Sequence, residues 1–307
     1  MGVPIAKLAI KHRTTYRYRS PVQLLPHRLM LRPREGRELQ LLSHEVSITP
    51  SAILTWSRDV FGNDVATARF SEPTELLVIE SNAVVEHGSS AWPVFDIDAS
   101  AIFYPFRYSD ADRVDLGQLA VQQYPDPNGH FEKWVMGFVA ATPTDTLSLL
   151  KDLNLGVHRQ SNYRRREDEG TQLPSHTLAI GSGSCRDLAV QMIEAARVLG
   201  FGARLVSGYL ADMEGDLVGT SDAGATHAWA EIFLPGPGWI AFDPTNGTMG
   251  DAYLIPTTVV RDIAQAVPAS GSFVGPSDAF ERMDVDVDVS RLLGDASAVE
   301  AASNQNE

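Results

Sequence analysis

SGSCRDLAVQMIEAARVLG, residues 182–200, is the stretch that decides how this chain is read. From Cys185 onward it is an amphipathic helix. Leu188, Met192, Ala195, Ala196 and Leu199 share one stripe, and Gly200 supplies a C-terminal stop. The preceding Gly181-Ser182-Gly183-Ser184 run is a flexible, glycine-rich approach that lets another molecule come close. Cys185 thus opens a helix, where unpaired backbone N–H groups and the helix dipole favour a thiolate. A small, inert, buried cysteine is the plain alternative.

Downstream lie strand-like segments rich in β-branched and aromatic residues: ARLVSGYLA, HAWAEIFL and GWIAFDPT. The turn Pro235-Gly236-Pro237-Gly238 makes the last two a hairpin. That hairpin can bring Asp243 beside His227. An imidazole so placed can take a thiol proton and later give it to a leaving amine, while the carboxylate holds the ring and its charge. Taken singly, His227 also reads as a strand-edge histidine and Asp243, before a proline, as a turn starter.

Working outward on the N-terminal side, TPTDTLSLLKDLNLGVHRQ (142–160) has Leu147, Leu150 and Leu153 at helical spacing. HFEKWVMGFVA offers another helix, and DLGQLAVQQY a third, capped by Asp112 or Asp115 and ended by Pro125. Residues 161–180 read as a polar surface loop whose RRREDEG run is a solvated turn. Residues 1–100 are β-rich, with a hairpin turn at Phe61-Gly62-Asn63-Asp64. MDVDVDVSRL near the end alternates strictly, which is a strand with Asp284, Asp286 and Asp288 on one exposed face. A calcium loop would need a glycine and a distal Glu that this segment lacks. The expected division is a β-rich domain over 1–105, a core over 106–293 and a flexible tail over 294–307.

Together SGSCRD, THAW and FDPTN resemble the Cys, His and Asp motifs of the bacterial transglutaminase-like family, within the papain-like cysteine protease superfamily. The likeness is specific over about 145–250. HRTTYRYRSPVQLLPHRLMLRPRE is similar to the β-rich region that often precedes this core, so a looser likeness spans most of the chain. The resemblance implies an α+β fold, with a nucleophile helix against an antiparallel sheet. It implies acyl transfer through a thioester, with Cys185 as nucleophile, His227 as general base and acid, and Asp243 as its orienter. The Cys185 N–H would be one oxyanion donor. Tyr163 is the preferred second donor over Gln160 and Trp134. Trp229, Gly183 and Ser184 are expected in the cleft. Asp187, in the first helical turn, suits the helix dipole. The family's Gly-Arg-Asp-Tyr run after the Asp motif is reduced here to Arg261 and Asp262 in VVRDIAQAVP, which puts the shape of the cleft in doubt.

Three activities fit these residues: hydrolysis of a peptide or side-chain amide, transfer of the acyl group to an amine, and non-catalytic peptide binding on the same fold. Hydrolysis is preferred. No metal or cofactor is implied. The net charge of −14 argues against nucleic acid as a partner. The charge is uneven, with nine Lys/Arg against two Glu in residues 1–40, but Arg17 and Arg19 alternate with Tyr16 and Tyr18 as on a strand's outward face. One cysteine permits no internal disulfide. The N-terminus lacks the pattern of a signal peptide, and no stretch has a membrane helix's length of apolar residues. The expected setting is therefore the cytoplasm, with a peptide or protein substrate and no membrane partner.

Overall fold

The computed structural model describes residues 5–88, 93–166, 170–211, 217 and 226–292. The expected tail from 294, the DMEGD turn and the centre of the RRREDEG run lie outside them. The first long strand, β1 (Ala6–Leu24), alternates as its sequence requires. Leu8, Ile10, His12, Thr14 and Tyr18 point inward, and Lys11, Arg13, Arg17 and Arg19 point outward. It pairs antiparallel with β6 (Thr74–His87), which in turn holds β3 (Leu39–Thr49). A second sheet joins β2 (His27–Leu29), β5 (Asp64–Arg69) and β4 (Ile53–Arg58), the last two flanking the expected turn at 61–64. Tyr18, Val22, Leu29, Ala66, Leu77 and Ile79 bury themselves between the sheets, giving a sandwich.

Five helices and a second antiparallel sheet follow. The helices are α1 (Asp110–Leu116), α2 (His130–Met136), α3 (Thr146–Gln160), α4 (Pro174–Ile180) and α5 (Cys185–Val198). The expected helix over DLGQLAVQQY is corrected. It stops at Gly117, whose φ of 42° ends α1, and only a 3₁₀ turn, Gly117–Ala120, continues. Its cap is Ser109, whose hydroxyl accepts from the Asp112 N–H; neither Asp112 nor Asp115 is the cap residue. The expected loop over 161–180 is also corrected, because it contains α4, with Pro174 at its first turn.

The core sheet runs Thr248–Met249, β9 (Gly238–Asp243), β8 (His227–Leu234), β7 (Ala203–Leu210), β10 (Leu254–Val260). α5 lies against it. Leu188, Met192, Ala195 and Ala196 pack with Ala203, Leu205, Ala228, Ala230 and Ile232. The helix's polar side, with Gln191, Glu194 and Arg197, is buried too. The amphipathic pattern therefore marks a central helix enclosed on every side.

The chain then returns. Ala269–Ser270 pair with β2, Phe273–Val274 pair with β1, and β11 (Phe280–Arg291) pairs with β1 from Leu8↔Arg291 to Tyr18↔Phe280. The expected core span of 106–293 thus includes strands that complete the N-terminal sandwich. Alternation identifies a strand but not its partner. As expected, Asp284, Asp286 and Asp288 face outward, while Val285, Val287 and Val289 are half-buried.

The sandwich also closes the core sheet's edge. The Asn63 amide donates to the Val259 carbonyl and accepts from the Val259 N–H, both at 2.8 Å, as a neighbouring strand would. Across the same joint the Tyr209 hydroxyl lies 3.1 Å from His12 Nδ1, among Leu8, Ile10, Val85 and Ile255.

Candidate functional site

The site begins with the cap of α5. Ser184 is the N-cap and Asp187, three residues on, completes a capping box. Ser184 donates to Asp187 Oδ2 from its N–H and its hydroxyl, each at 2.8 Å. Asp187 Oδ1 accepts from the Gln172 N–H at 2.7 Å and from Arg166 Nη1 at 2.8 Å. A fully buried carboxylate thus has all its partners. Glycine at 183 is a packing requirement, since a β-carbon there would lie 2.8 Å from Asp187 Cβ and 3.3 Å from Thr177 Cγ2. The approach to Cys185 is accordingly not a flexible arm. Ser182–Gly183 form a short parallel ladder with Asn162–Tyr163. What results is a fixed elbow that leaves Cys185 at the first position of α5, 9% exposed.

The hairpin of β8 and β9 brings the other two groups. Its turn uses Gly236 and Gly238 at φ 100° and 80°. His227, at the start of β8, and Asp243, at the end of β9, are 3% and 1% exposed. His227 Nε2 lies 2.8 Å from Asp243 Oδ2. Cys185 also acts on the ring, and Nδ1 is the nitrogen that the Asp243 contact leaves for it. Burial alone would lower the His227 pKa. The charge and hydrogen bond of Asp243, with the Cys185 contact, outweigh it and raise the value to about 10. Burial likewise opposes ionisation of Asp243. His227, the Asn246 amide and the Thr245 N–H prevail and hold its pKa below the usual carboxylate range. The arrangement keeps an imidazolium against a buried carboxylate, with Cys185 as its other neighbour.

Of the other expected residues, Trp229 is buried and stacks on His227 at 6.2 Å between ring centroids, with an interplanar angle of 23°. It forms the wall behind the imidazole. Tyr163 is placed beside Gly183 by the two-residue ladder, half-buried at the elbow. Gln160 ends α3 exposed, and Trp134 packs between Phe131 and Phe138. Arg261 and Asp262 lie at the other end of α5, where the Arg261 carbonyl accepts from Arg197 and both residues line a crevice with Glu194. Twelve helical residues, about 18 Å, separate Arg197 from Cys185. The reduced Arg-Asp run therefore does not border the sulfur.

Two comparisons of sequence bear on this geometry. Residues 133–244 match the transglutaminase-like superfamily, and residues 8–86 match the bacterial transglutaminase-like N-terminal region, together well over half of the chain. The chain thus matches the transglutaminase-like superfamily over its core, with that family's bacterial N-terminal region ahead of it. An uncharacterised protein of Mycobacterium tuberculosis is 28% identical over 310 residues, spanning 94% of this chain and 93% of its own. An uncharacterised protein of Mycobacterium leprae is 24% identical over 305 residues, spanning 93% and 99%. A Cytophaga hutchinsonii protein described as a candidate cysteine protease has the same fold, with a TM-score of 0.71 over 96% of this chain and 93% of that one, at 19% identity. The papain-like core and its N-terminal β-rich region thus recur together in that relative.

Within this transglutaminase-like frame, several residues escaped the reading of the sequence. Asn246 Nδ2 donates to Asp243 Oδ2 at 2.8 Å, and the Thr245 N–H to Oδ1 at 2.9 Å. The turn that carries them is pinned to α3, because His158 Nδ1 lies 3.0 Å from the Thr245 carbonyl and Asn154 Nδ2 donates to the Thr248 carbonyl at 3.0 Å. Asn246 does have a local signal, since it closes the FDPTN motif three residues after Asp243. Asn154, His158 and Arg166 had none, since their partners lie far away in sequence.

Proposed function

We propose that this protein is a thiol-dependent amidase or peptidase that works through a thioester at Cys185. Its support is the buried His227–Asp243 pair, hydrogen-bonded at 2.8 Å, whose imidazole is also charged by its contact with Cys185 at the N-terminus of α5. The thiolate attacks the amide carbonyl carbon and forms an S–C bond. The Cys185 N–H, free of an intrahelical partner at the first helical position, receives the developing oxyanion. Tyr163 is the proposed second donor, from its place beside Gly183. His227 gives its proton to the leaving nitrogen as the C–N bond breaks. A water molecule then yields a proton to His227, attacks the thioester and releases a carboxylic acid and the thiolate, with the imidazolium restored. Asp243, held by Asn246 and Thr245, keeps the ring aligned and balances its charge throughout.

The second reading is transfer of the acyl group to an amine, with the same first half. Burial of His227 and Asp243 behind Trp229 favours it, because limited water access prolongs the thioester. A glutaminyl peptide incubated with a fluorescent amine separates the two. Free ammonia or cleaved peptide is expected, lost in His227→Gln; label joined to the peptide would replace hydrolysis by transfer. Neither product across a panel of peptides, together with a Cys185 thiol no more reactive to iodoacetamide than a free thiol, would leave a binding module.

A further inference from the structure

Next to the elbow lies a cavity of about 330 Å³, lined by Arg164, Arg165, Arg166, Gln172, Ser182 and Gly183 among others. Arg166 is neutralised by Asp187 at 2.8 Å. Arg164 and Arg165 are exposed, and neither has a carboxylate partner among the described residues. Two guanidinium groups on one cavity without a carboxylate among the described residues are unexpected in a chain of net charge −14. Their position is fixed. The Arg164 N–H donates to the Gly183 carbonyl at 2.8 Å, extending the ladder that sets the elbow. Gly183 is two residues before Cys185, so its Cα lies within about 7.6 Å of the nucleophile's.

We infer that this cavity is an anion subsite that seats a carboxylate of the substrate beside the amide being attacked. The inference rests on Cys185 as the reacting atom of the proposed function. Guanidinium forks bind carboxylates in bidentate fashion, and one such group within a residue or two of the reacting carbonyl would fix the substrate's register. The substrate class is then an acidic peptide: an amide flanked by an Asp or Glu side chain, or by the free terminal carboxylate of a short chain. The Arg run that the sequence presents as a solvated turn becomes the specificity element of the site.

A pair of alkylating reagents of nearly equal size tests this. Iodoacetate carries the carboxylate and iodoacetamide does not. The ratio of their second-order rates at Cys185 is expected to fall about three- to tenfold in the double variant Arg164→Gln/Arg165→Gln. It should hold in Arg37→Gln, which removes a 95% exposed charge elsewhere. An unchanged ratio in the double variant overturns the subsite. Both arginines are exposed, so the variants keep the fold. Protection of the wild type against iodoacetamide then identifies the source of the carboxylate. N-acetyl-Gln-Glu amide protecting assigns a side chain, and N-acetyl-Gln-Gln with a free terminus assigns the chain end. Protection by neither, or by inorganic phosphate alone, overturns the assignment. If the iodoacetamide rate ignores His227→Gln, the catalytic reading fails, while the reagent ratio still reports on the arginines.

Discussion

The two ends of α5 both bury charge, and they treat it oppositely. At the C-terminal end, Glu194 Oε1 accepts from Arg197 at 2.8 Å, and Oε2 from the N–H groups of Gln123 and Tyr124. Arg197 gives further donors to the carbonyls of Leu119, Ala203 and Arg261. Both oxygens of Glu194 and four of the five N–H groups of Arg197 are spent inside the protein, which ties the 117–124 segment, α5 and the core sheet together. At the N-terminal end, Asp187 and Asp243 are equally well served, but the row they support stops at a sulfur, with a backbone N–H beside it that has no helical partner. Saturated charge fixes a fold. Charge that ends on an unspent group, next to a cavity, is available for chemistry.

Cys185→Ala probes that contrast most sharply. It should lower kcat/KM by about 10⁴-fold or more while changing the unfolding free energy by less than about 1 kcal/mol, read by urea titration beside an activity assay. A large loss of stability with activity retained would break the contrast at its active end. Arg197→Met should do the reverse. Leaving Glu194 buried without its cation costs about 3–5 kcal/mol, while the folded fraction keeps kcat within roughly threefold. A rate loss that outruns the unfolding would mean that the two ends are coupled.

The smallest effect is a dependence on pH. His227 holds its proton more tightly folded than unfolded, so its contribution is complete below the unfolded value of about 6.5. That contribution fades as pH rises through the folded value of about 10. Asp243, shifted down, contributes above about pH 4 and less as pH falls below it. The stability advantage of wild type over His227→Gln should therefore shrink steadily between pH 6 and pH 10, read by urea titration at each pH. A widening gap would place a neutral imidazole in the folded protein and sharpen the contrast in the other direction.

What the sequence disclosed follows the reach of its signals. The helix α5 was legible because a glycine approach, an apolar stripe and a glycine stop all sit within 20 residues of one another. The β8–β9 hairpin was legible because its turn is four residues of Pro and Gly. Both cues are local, and so His227 and Asp243 could be brought together before any coordinates. α4 was missed because a seven-residue helix stands on tertiary contact more than on propensity. The burial of Glu194 and Arg197 was missed because charged residues on a helix read as its wet side until a partner surface is known. The Arg166–Asp187 link joins residues that the reading had assigned to a loop and to a helix dipole.

The pairing of β1 with β11 carries a consequence for the order in which the molecule can assemble. β1 has β6 for one neighbour soon after it in the chain, but its other neighbour, β11, is separated from β6 by residues 88–279. Throughout translation of the helices and the core sheet, one long margin of the nascent sandwich stands unzipped, with outward Lys and Arg side chains guarding it against stray strands. A nascent chain stalled short of residue 280 would therefore carry α5 and Cys185 on an unfinished scaffold.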